Sequence, residues 1–290
     1  MTAGAAFVAA GCGSDKPGTV ADDGSVTVRH VFGETRIPTP PTRVVSAGLT
    51  GQDDLLALGV VPIAVTDWFG GEPFAVWPWA QPRLAGAQPA VLSLADGIPV
   101  DQIASLRPDL IVATNAGLDQ DTYTKLTAIA PTVAQTGRDA FFEPWQDQAG
   151  TIGQAVFKHA EMQSLVAAVD GRFAAVAEAN PQFAGRKVAL LAGRLADENP
   201  RPLTPQWRSD FLTRMGFAVA EGVEDAEVVV WSTETDEEQA ALLADPRVAE
   251  SGKRNVFTGK ELAGAIAFAS PLGYPVVADT LPARIAQALA

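Results

Sequence analysis

The same order of segments occurs twice along the chain, and this internal repeat constrains the fold more than any other feature. Each copy contains a short apolar helix that ends at a glycine, Gly59 in the first copy and Gly216 in the second, and a strand follows each glycine. A second apolar strand, a polar loop and another helix complete each unit, with strands near Leu110 and Val228. Glycine is favoured just beyond a helix end, and so short a strand–helix–strand unit is typical of a parallel sheet. The repeat predicts an α/β protein of two similar lobes with mainly parallel sheets and a ligand-binding cleft between them.

The chain divides into four predicted segments. Residues 1–24 are expected to be a leader and a disordered tether, because the second half is rich in Gly, Asp, Ser and Pro and has no apolar period. The N-terminal lobe, lobe one, covers 25–143, and the C-terminal lobe, lobe two, covers 181–290. Between them, 144–180 carries apolar residues mostly three, four or seven positions apart, which predicts one long linking helix. Such a helix would let the lobes tilt only slightly.

The composition excludes some classes of function. The chain has 290 residues, a net charge of −13 and no basic stripe, which argues against nucleic acid as a partner. Apolar residues make up 47% of the chain, as in a globular protein, and no apolar run approaches the roughly 20 residues that span a bilayer.

The single cysteine, Cys12, is informative by its position. It follows a short stretch of apolar and small residues and precedes a polar segment. This pattern resembles a bacterial lipobox, in which the signal peptide is cut before a cysteine that then carries lipid. The pattern predicts lipid attachment at Cys12, and an incidental thiol is the alternative. A single cysteine also excludes a disulfide framework within the chain.

An aromatic-rich loop follows the strand that ends near Val65. Open parallel sheets bind ligands beyond the carboxyl ends of their strands, and this loop begins there. Its rings either form a platform for a flat ligand or cover the core. We expect the following residues of the loop to bind ligand: Trp68, Phe69, Phe74, Trp77 and Trp79.

A second long loop, residues 193–208, follows the first predicted strand of lobe two. It contains Arg194, Arg201, Trp207 and Arg208. Guanidinium groups bind carboxylates in a bidentate manner and stack on rings, so the loop predicts an anionic ligand, with Arg194, Trp207 and Arg208 as binding residues. The alternative is that these arginines pair with neighbouring acidic residues, namely Asp197, Glu198 and Asp210.

Motifs for catalysis are absent from the sequence. It has no Gly-x-Ser-x-Gly turn and no complete phosphate-binding loop. The two histidines, His30 and His159, are far apart and have no spacing that suggests a metal site. We therefore predict no catalytic residue, no metal site and no cofactor, and an α/β enzyme of the cell envelope is the alternative class.

Several short runs resemble one known family, the substrate-binding proteins of iron-chelate ABC importers. The resemblance covers residues 26–290, and its motifs in lobe one are specific to the family. The runs that carry it are 41–46, 55–60, 103–111 and 128–133, while 52–59 and 73–80 are similar to a mycobacterial lipoprotein of the ferric-dicitrate-binding type.

The resemblance implies a fold like that of class III periplasmic binding proteins and a function outside the cytoplasm. A lipid-anchored monomer on the outer face of the cytoplasmic membrane would capture a ferric siderophore or related iron chelate and deliver it to an ABC permease. Iron would be present only as part of the chelate. Haem is the alternative cargo, with Tyr123 or Tyr274 as the axial ligand.

The resemblance also implies how the permease would be contacted. The family uses an acidic residue on each lobe, and Asp101 matches the first. Alternatively, Asp101 only stabilises the start of its own short helix. Lobe two is shortened before Val228 and has no aligned acid, so Glu224 or Asp225 are the candidate substitutes.

Overall fold

The computed structural model describes residues 16–197 and 199–290. Cys12 and the lipobox-like segment lie outside the described residues. The described chain begins with an antiparallel hairpin of β1 (Val26–His30) and β2 (Gly33–Ile37), in which Val26 pairs with Ile37.

Lobe one contains a five-stranded parallel sheet in the order β5-β4-β3-β6-β7. Its strands are mostly apolar because helices and loops cover both faces of the sheet. The elements are β3 (Val44–Ser46), α1 (Gly51–Ala57), β4 (Ala64–Thr66), β5 (Ala90–Leu92), α2 (Val100–Ser105), β6 (Leu110–Ala113), α3 (Gln120–Thr127) and β7 (Thr132–Ala134). Two helices follow this lobe, α4 (Trp145–Ala155) and α5 (His159–Ala179).

Lobe two contains a four-stranded parallel sheet in the order β11-β10-β8-β9. The elements are β8 (Lys187–Ala192), α6 (Asp210–Arg214), β9 (Ala218–Ala220), β10 (Val228–Ser232), α7 (Asp236–Leu243), α8 (Pro246–Ser251), β11 (Asn255–Phe257), α9 (Lys260–Phe268) and α10 (Gly273–Leu289).

The repeat predicted from the sequence is confirmed. The unit β3–α1–β4 corresponds to β8–α6–β9, and each helix is followed by a glycine with positive φ, 70° at Gly59 and 93° at Gly216. Residues 221–227, all of which the structure describes, contain neither helix nor strand, so this part of lobe two has no counterpart of β5 or α2. The shortening of lobe two is therefore visible as a sheet in which β9 is an edge strand.

The predicted long linking helix is present as the 21-residue α5, but its predicted bounds of 144–180 are wrong, because the segment forms α4 and α5 with a break at 156–158. Phe157 takes the left-handed conformation with φ of 62°, and the N–H of Lys158 donates to the carbonyl of Gly153 at 2.7 Å. This is a helix-ending pattern that usually uses glycine. A Cβ atom on Gly153 would lie 2.6 Å from Cβ of Met162, so the missing side chain lets α5 pack closely on α4.

The two lobes share one hydrophobic core. Helix α4 packs on α1 and β1, whereas α5 packs on α6 and α10. The cluster of buried residues is continuous from Val26 in the hairpin, through Trp145 and Phe173 in the two linking helices, to Ile285 in α10. This shared core limits how far the lobes can move, even though the connection is not a single helix.

Candidate ligand-binding site

Five aromatic rings meet between the lobes, and we call them the interlobe aromatic cluster. Trp68, Phe69, Trp77 and Trp79 come from the loop between β4 and β5, and Phe268 ends α9 in lobe two. The indoles of Trp77 and Trp79 are stacked, with centroids 5.0 Å apart and 7° between their planes. The ring of Phe268 lies 5.7 Å from that of Trp68 and 5.9 Å from that of Trp77. Four of the predicted aromatic residues therefore lie together between the lobes.

Trp77 is enclosed by both lobes. It is only 1% exposed. A Cβ atom on Gly70, which has φ of 93°, would lie 2.6 Å from Cζ2 of Trp77, and one on Gly264 in α9 would lie 2.5 Å from Cη2. The bare backbone at these two glycines permits the close approach. Trp77 thus forms the buried base of the cluster, and Trp68, Phe69 and Trp79 are its half-buried members.

Phe74 has no ring contact with the interlobe aromatic cluster among the described residues. It is half-buried and packs against a smaller apolar cluster that contains Leu56 and Leu84, against which Trp79 also packs.

Arg208 is the buried cation of the site. It lies in a single 3₁₀ turn before α6 and is 5% exposed. Its guanidinium carbon lies 4.2 Å from the ring centroid of Phe142 and 5.9 Å from that of Trp68. One Nη atom donates to the carbonyl of Ala267 at 3.2 Å, whereas Nε has no partner among the residues that the structure describes. Burial lowers the pKa of Arg208 to about 10, so the side chain is charged at neutral pH.

No acidic side chain in 16–197 or 199–290 pairs with Arg208. The alternative in which Arg208 pairs with Asp210 is therefore not observed. An unpaired buried charge is costly. A negative group placed between the lobes would offset that cost, and the neighbouring rings offer flat apolar surfaces.

The other residues of the arginine loop occupy different places. Trp207 donates its indole N–H to the carbonyl of Phe142 at 2.9 Å, which joins the two lobes beside Arg208. Arg194 and Arg201 are exposed. The charge of Arg194 acts on Glu234, whose pKa is nevertheless raised because burial outweighs it. The structure thus brings Arg208 to Trp68 of the aromatic cluster, places Trp207 beside Arg208, and leaves Arg194 beside an acid.

Three buried acidic residues near the lobe interface escaped the sequence analysis: Asp53, Asp54 and Glu143. Their exposed fractions are 0%, 1% and 4%, and each has one carboxylate oxygen without a partner in 16–197 and 199–290. Burial raises the pKa of Asp53 to about 6, and it also raises the pKa values of Asp54 and Glu143. An adjacent acidic pair at the start of an apolar helix was the available signal, since all seven residues of α1 are buried.

An ion pair also connects the two lobes. Lys260, at the start of α9, contacts Glu72 of the aromatic loop at 2.6 Å, and its amino group lies 5.8 Å from the ring centroid of Trp77. The pairing of Lys260 with Glu72 could not be predicted from the sequence, because the two residues are far apart in the chain.

Neither tyrosine has the position expected of a haem ligand. Tyr123 stacks on Phe32, with centroids 4.7 Å apart, and also contacts His30. Tyr274 is 2% exposed in the core beside Trp145, and burial raises its pKa above the ordinary range. In the described part of the chain, no group of three or more His, Cys, Asp or Glu side chains is arranged to hold a metal ion.

The predicted docking residues are all on the surface. Asp101 is exposed in the first turn of α2, whose N-cap residue is Pro99. Glu224 and Asp225 are exposed in the segment that connects β9 to β10. Within the described ranges, no helix combines the length and apolar character that crossing a bilayer requires.

Two α/β lobes with a shared core and an aromatic, arginine-containing site at their interface define a two-lobe binding protein. The chain belongs to the periplasmic binding protein family, whose model matches residues 44–225.

Known proteins resemble the chain to different degrees. A crystal structure of a periplasmic solute binding protein from Mycobacterium smegmatis is 63% identical with a TM-score of 0.90, over 93% of this chain and 100% of that one. The putative ABC transporter substrate-binding lipoprotein YhfQ of Bacillus subtilis is 28% identical over 73% of this chain and 64% of its own. The probable siderophore-binding lipoprotein YfiY of the same organism is 29% identical over 58% and 50%. The chain therefore spans half to two thirds of the length of these two curated relatives.

Proposed function

We propose that the protein captures a ferric siderophore or related iron chelate between its lobes and delivers it to an ABC importer. The observation that carries the proposal is Arg208, a buried charge that lies among the rings of Phe142, Trp68 and Trp207 and has no acidic partner among the described residues. Many ferric chelates are anionic and have broad faces, so they would supply the missing negative charge and pack on the rings. The name of YfiY, a probable siderophore-binding lipoprotein, supports this class of ligand.

Delivery requires a position outside the cytoplasm and a contact with the permease. Lipid attachment at Cys12 would hold a monomer at the outer face of the membrane. The exposed carboxylate of Asp101 would contact a permease arginine from lobe one, and Glu224 or Asp225 would do so from lobe two.

A fluorescence titration tests the proposed ligand class. Trp68, Trp77, Trp79 and Trp207 all lie at the interface, so a bound ferric chelate should quench their emission. The panel consists of ferric hydroxamate, catecholate and carboxylate siderophores, ferric citrate and haemin. Gallium complexes of the same ligands are the matched control, because they keep the charge and shape and lack the quenching iron.

We expect saturable quenching by at least one ferric chelate, and competition by its gallium complex. Binding of haemin alone would replace the siderophore by haem as the cargo. Chemical conversion of the chelate by the purified protein would favour the enzyme alternative, and no saturable binding across the panel would contradict the proposal.

A further inference from the structure

A buried carboxylate of lobe one is hydrogen-bonded to lobe two behind the aromatic cluster. Asp53 lies in α1 and is 0% exposed. Its Oδ2 atom accepts two hydrogen bonds, one from the indole N–H of Trp79 at 2.8 Å and one from the hydroxyl of Ser270 at 2.7 Å. Oδ1 has no partner in the described part of the chain. One oxygen therefore serves both the ligand site and the opposite lobe.

Ser270 connects the carboxylate of Asp53 to the backbone of lobe two. Its hydroxyl oxygen accepts from the backbone N–H of Gly273 at 2.8 Å, at the start of α10. It also follows Phe268 by two residues, and the ring of Phe268 lies 6.2 Å from that of Trp79. Separation of the lobes at this point would break the bond from Ser270 and uncover the aromatic stack.

We propose that Asp53 is a proton-dependent tie between the lobes, which positions Trp79 and controls how readily the cleft opens to ligand. The inference rests on the proposed function, because it assigns a means of regulation to that same site.

The surroundings of Asp53 make the tie sensitive to protons. Trp79 from the aromatic loop and Ser270 from lobe two are uncharged donors, and no lysine or arginine in the described ranges forms an ion pair with Asp53. The titratable neighbours are acidic: Asp54 is adjacent in α1, and Glu143 acts in turn on Asp54. Asp54 is hydrogen-bonded to Gln148 of α4 at 2.7 Å, which keeps it on the lobe-one side of the interface.

The direction of the pH effect follows from burial. In the closed arrangement, the pKa of Asp53 is about 6, whereas water would return it towards 3.8 when the lobes separate. Between pH 3.8 and about pH 6, Asp53 is protonated when the lobes are closed and ionised when they are open. Raising the pH therefore weakens the tie, and the opening equilibrium should rise about tenfold between pH 5 and pH 7.

Hydrogen exchange of the Trp79 indole N–H in ligand-free, ¹⁵N-labelled protein tests the tie without any chelate. The comparison is wild type against Asp53→Asn, whose amide does not titrate, and the signal is assigned with Trp79→Phe. At a given pH the intrinsic exchange rate of the indole N–H is the same in both proteins. The wild-type rate divided by the variant rate therefore reports the part of the opening equilibrium that depends on Asp53. We expect this ratio to increase about tenfold from pH 5 to pH 7. A ratio that stays constant would overturn the proposal.

Two further variants complete the test. Asp119→Asn makes the same chemical change at the exposed N-cap of α3, where Asn also caps well, so it should behave as wild type. If Asp53→Asn does not fold, Ser270→Ala removes the interlobe bond, together with the bond that its hydroxyl accepts from the N–H of Gly273, and should accelerate exchange at pH 5. Unchanged exchange in that variant would overturn the tie. Chelate binding without this pH response refutes the tie alone, whereas the response without chelate binding refutes only the proposed function.

Discussion

Replacement of Arg208 by methionine should stabilise the ligand-free protein and impair ligand binding. Burial lowers the pKa of this guanidinium to about 10, which corresponds to a cost of about 3 kcal/mol for keeping the side chain charged at its buried site. Methionine retains a similar stem without the charge. The variant also loses the hydrogen bond to Ala267, worth about 1.5–3 kcal/mol for a charged donor. The free energy of unfolding should therefore stay level or rise, by up to about 2 kcal/mol.

Binding should respond in the opposite direction. If the chelate supplies the anionic partner of Arg208, removal of the charge should weaken binding by about 2–5 kcal/mol, or about 30-fold to several thousand-fold in the dissociation constant. The assays are urea unfolding without ligand and the fluorescence titration with the chelate that quenches wild type.

The matched control for this variant is Arg194→Met, since Arg194 is exposed. Its effect on stability should stay within about 0.5 kcal/mol. A loss of more than 2 kcal/mol of stability in Arg208→Met, together with unchanged chelate affinity, would show that Arg208 is a structural residue and does not bind the ligand.

Three other predictions concern the aromatic stack, the shared core and the permease contact. Trp79→Ala should weaken chelate binding by about 1–3 kcal/mol in the same titration; unchanged affinity with a lower Tm would make Trp79 a cover of the core. Small-angle scattering curves of free and loaded protein should nearly superimpose, because buried residues run continuously between the lobes; compaction on the scale of a hinge closure would contradict this. Asp101→Asn should leave folding and affinity intact but reduce iron uptake by cells, and Glu224→Gln with Asp225→Asn should do the same if lobe two docks; normal uptake by Asp101→Asn would exclude its docking role.

The sequence predicted those helices and strands that form because of residues close together in the chain. Buried strands such as Leu110–Ala113 and Lys187–Ala192 have continuous apolar runs, and Gly59 and Gly216 mark helix ends at both repeats. The shortening of lobe two before Val228 was also visible, through comparison with the family that the chain resembles. These features depend on residues that are close together in the chain, and a sequence pattern records such residues.

The break in the linking segment could not be predicted in the same way. The apolar residues of α4 and α5 keep their helical spacing across 156–158, so this spacing gives no sign of the break. The left-handed residue at the break is Phe157, a type that rarely takes this conformation.

Contacts between the lobes could not be predicted from the sequence either. The burial of Trp77 under Gly264 and the bonds of Asp53 to Trp79 and Ser270 depend on how one lobe is placed on the other. Residue types and their spacing indicated an aromatic and cationic site, but not which rings are buried and which face a ligand.

The most direct test of the account is the location of iron in crystals grown with the chelate that quenches tryptophan fluorescence. Anomalous scattering at the iron edge identifies the metal without reference to the shape of the chelate. We predict a single strong peak between the lobes, with the chelate contacting Arg208 and at least one of Trp68 and Trp79. Iron bound elsewhere on the protein, or between the lobes with Arg208 still unpaired, would contradict the account.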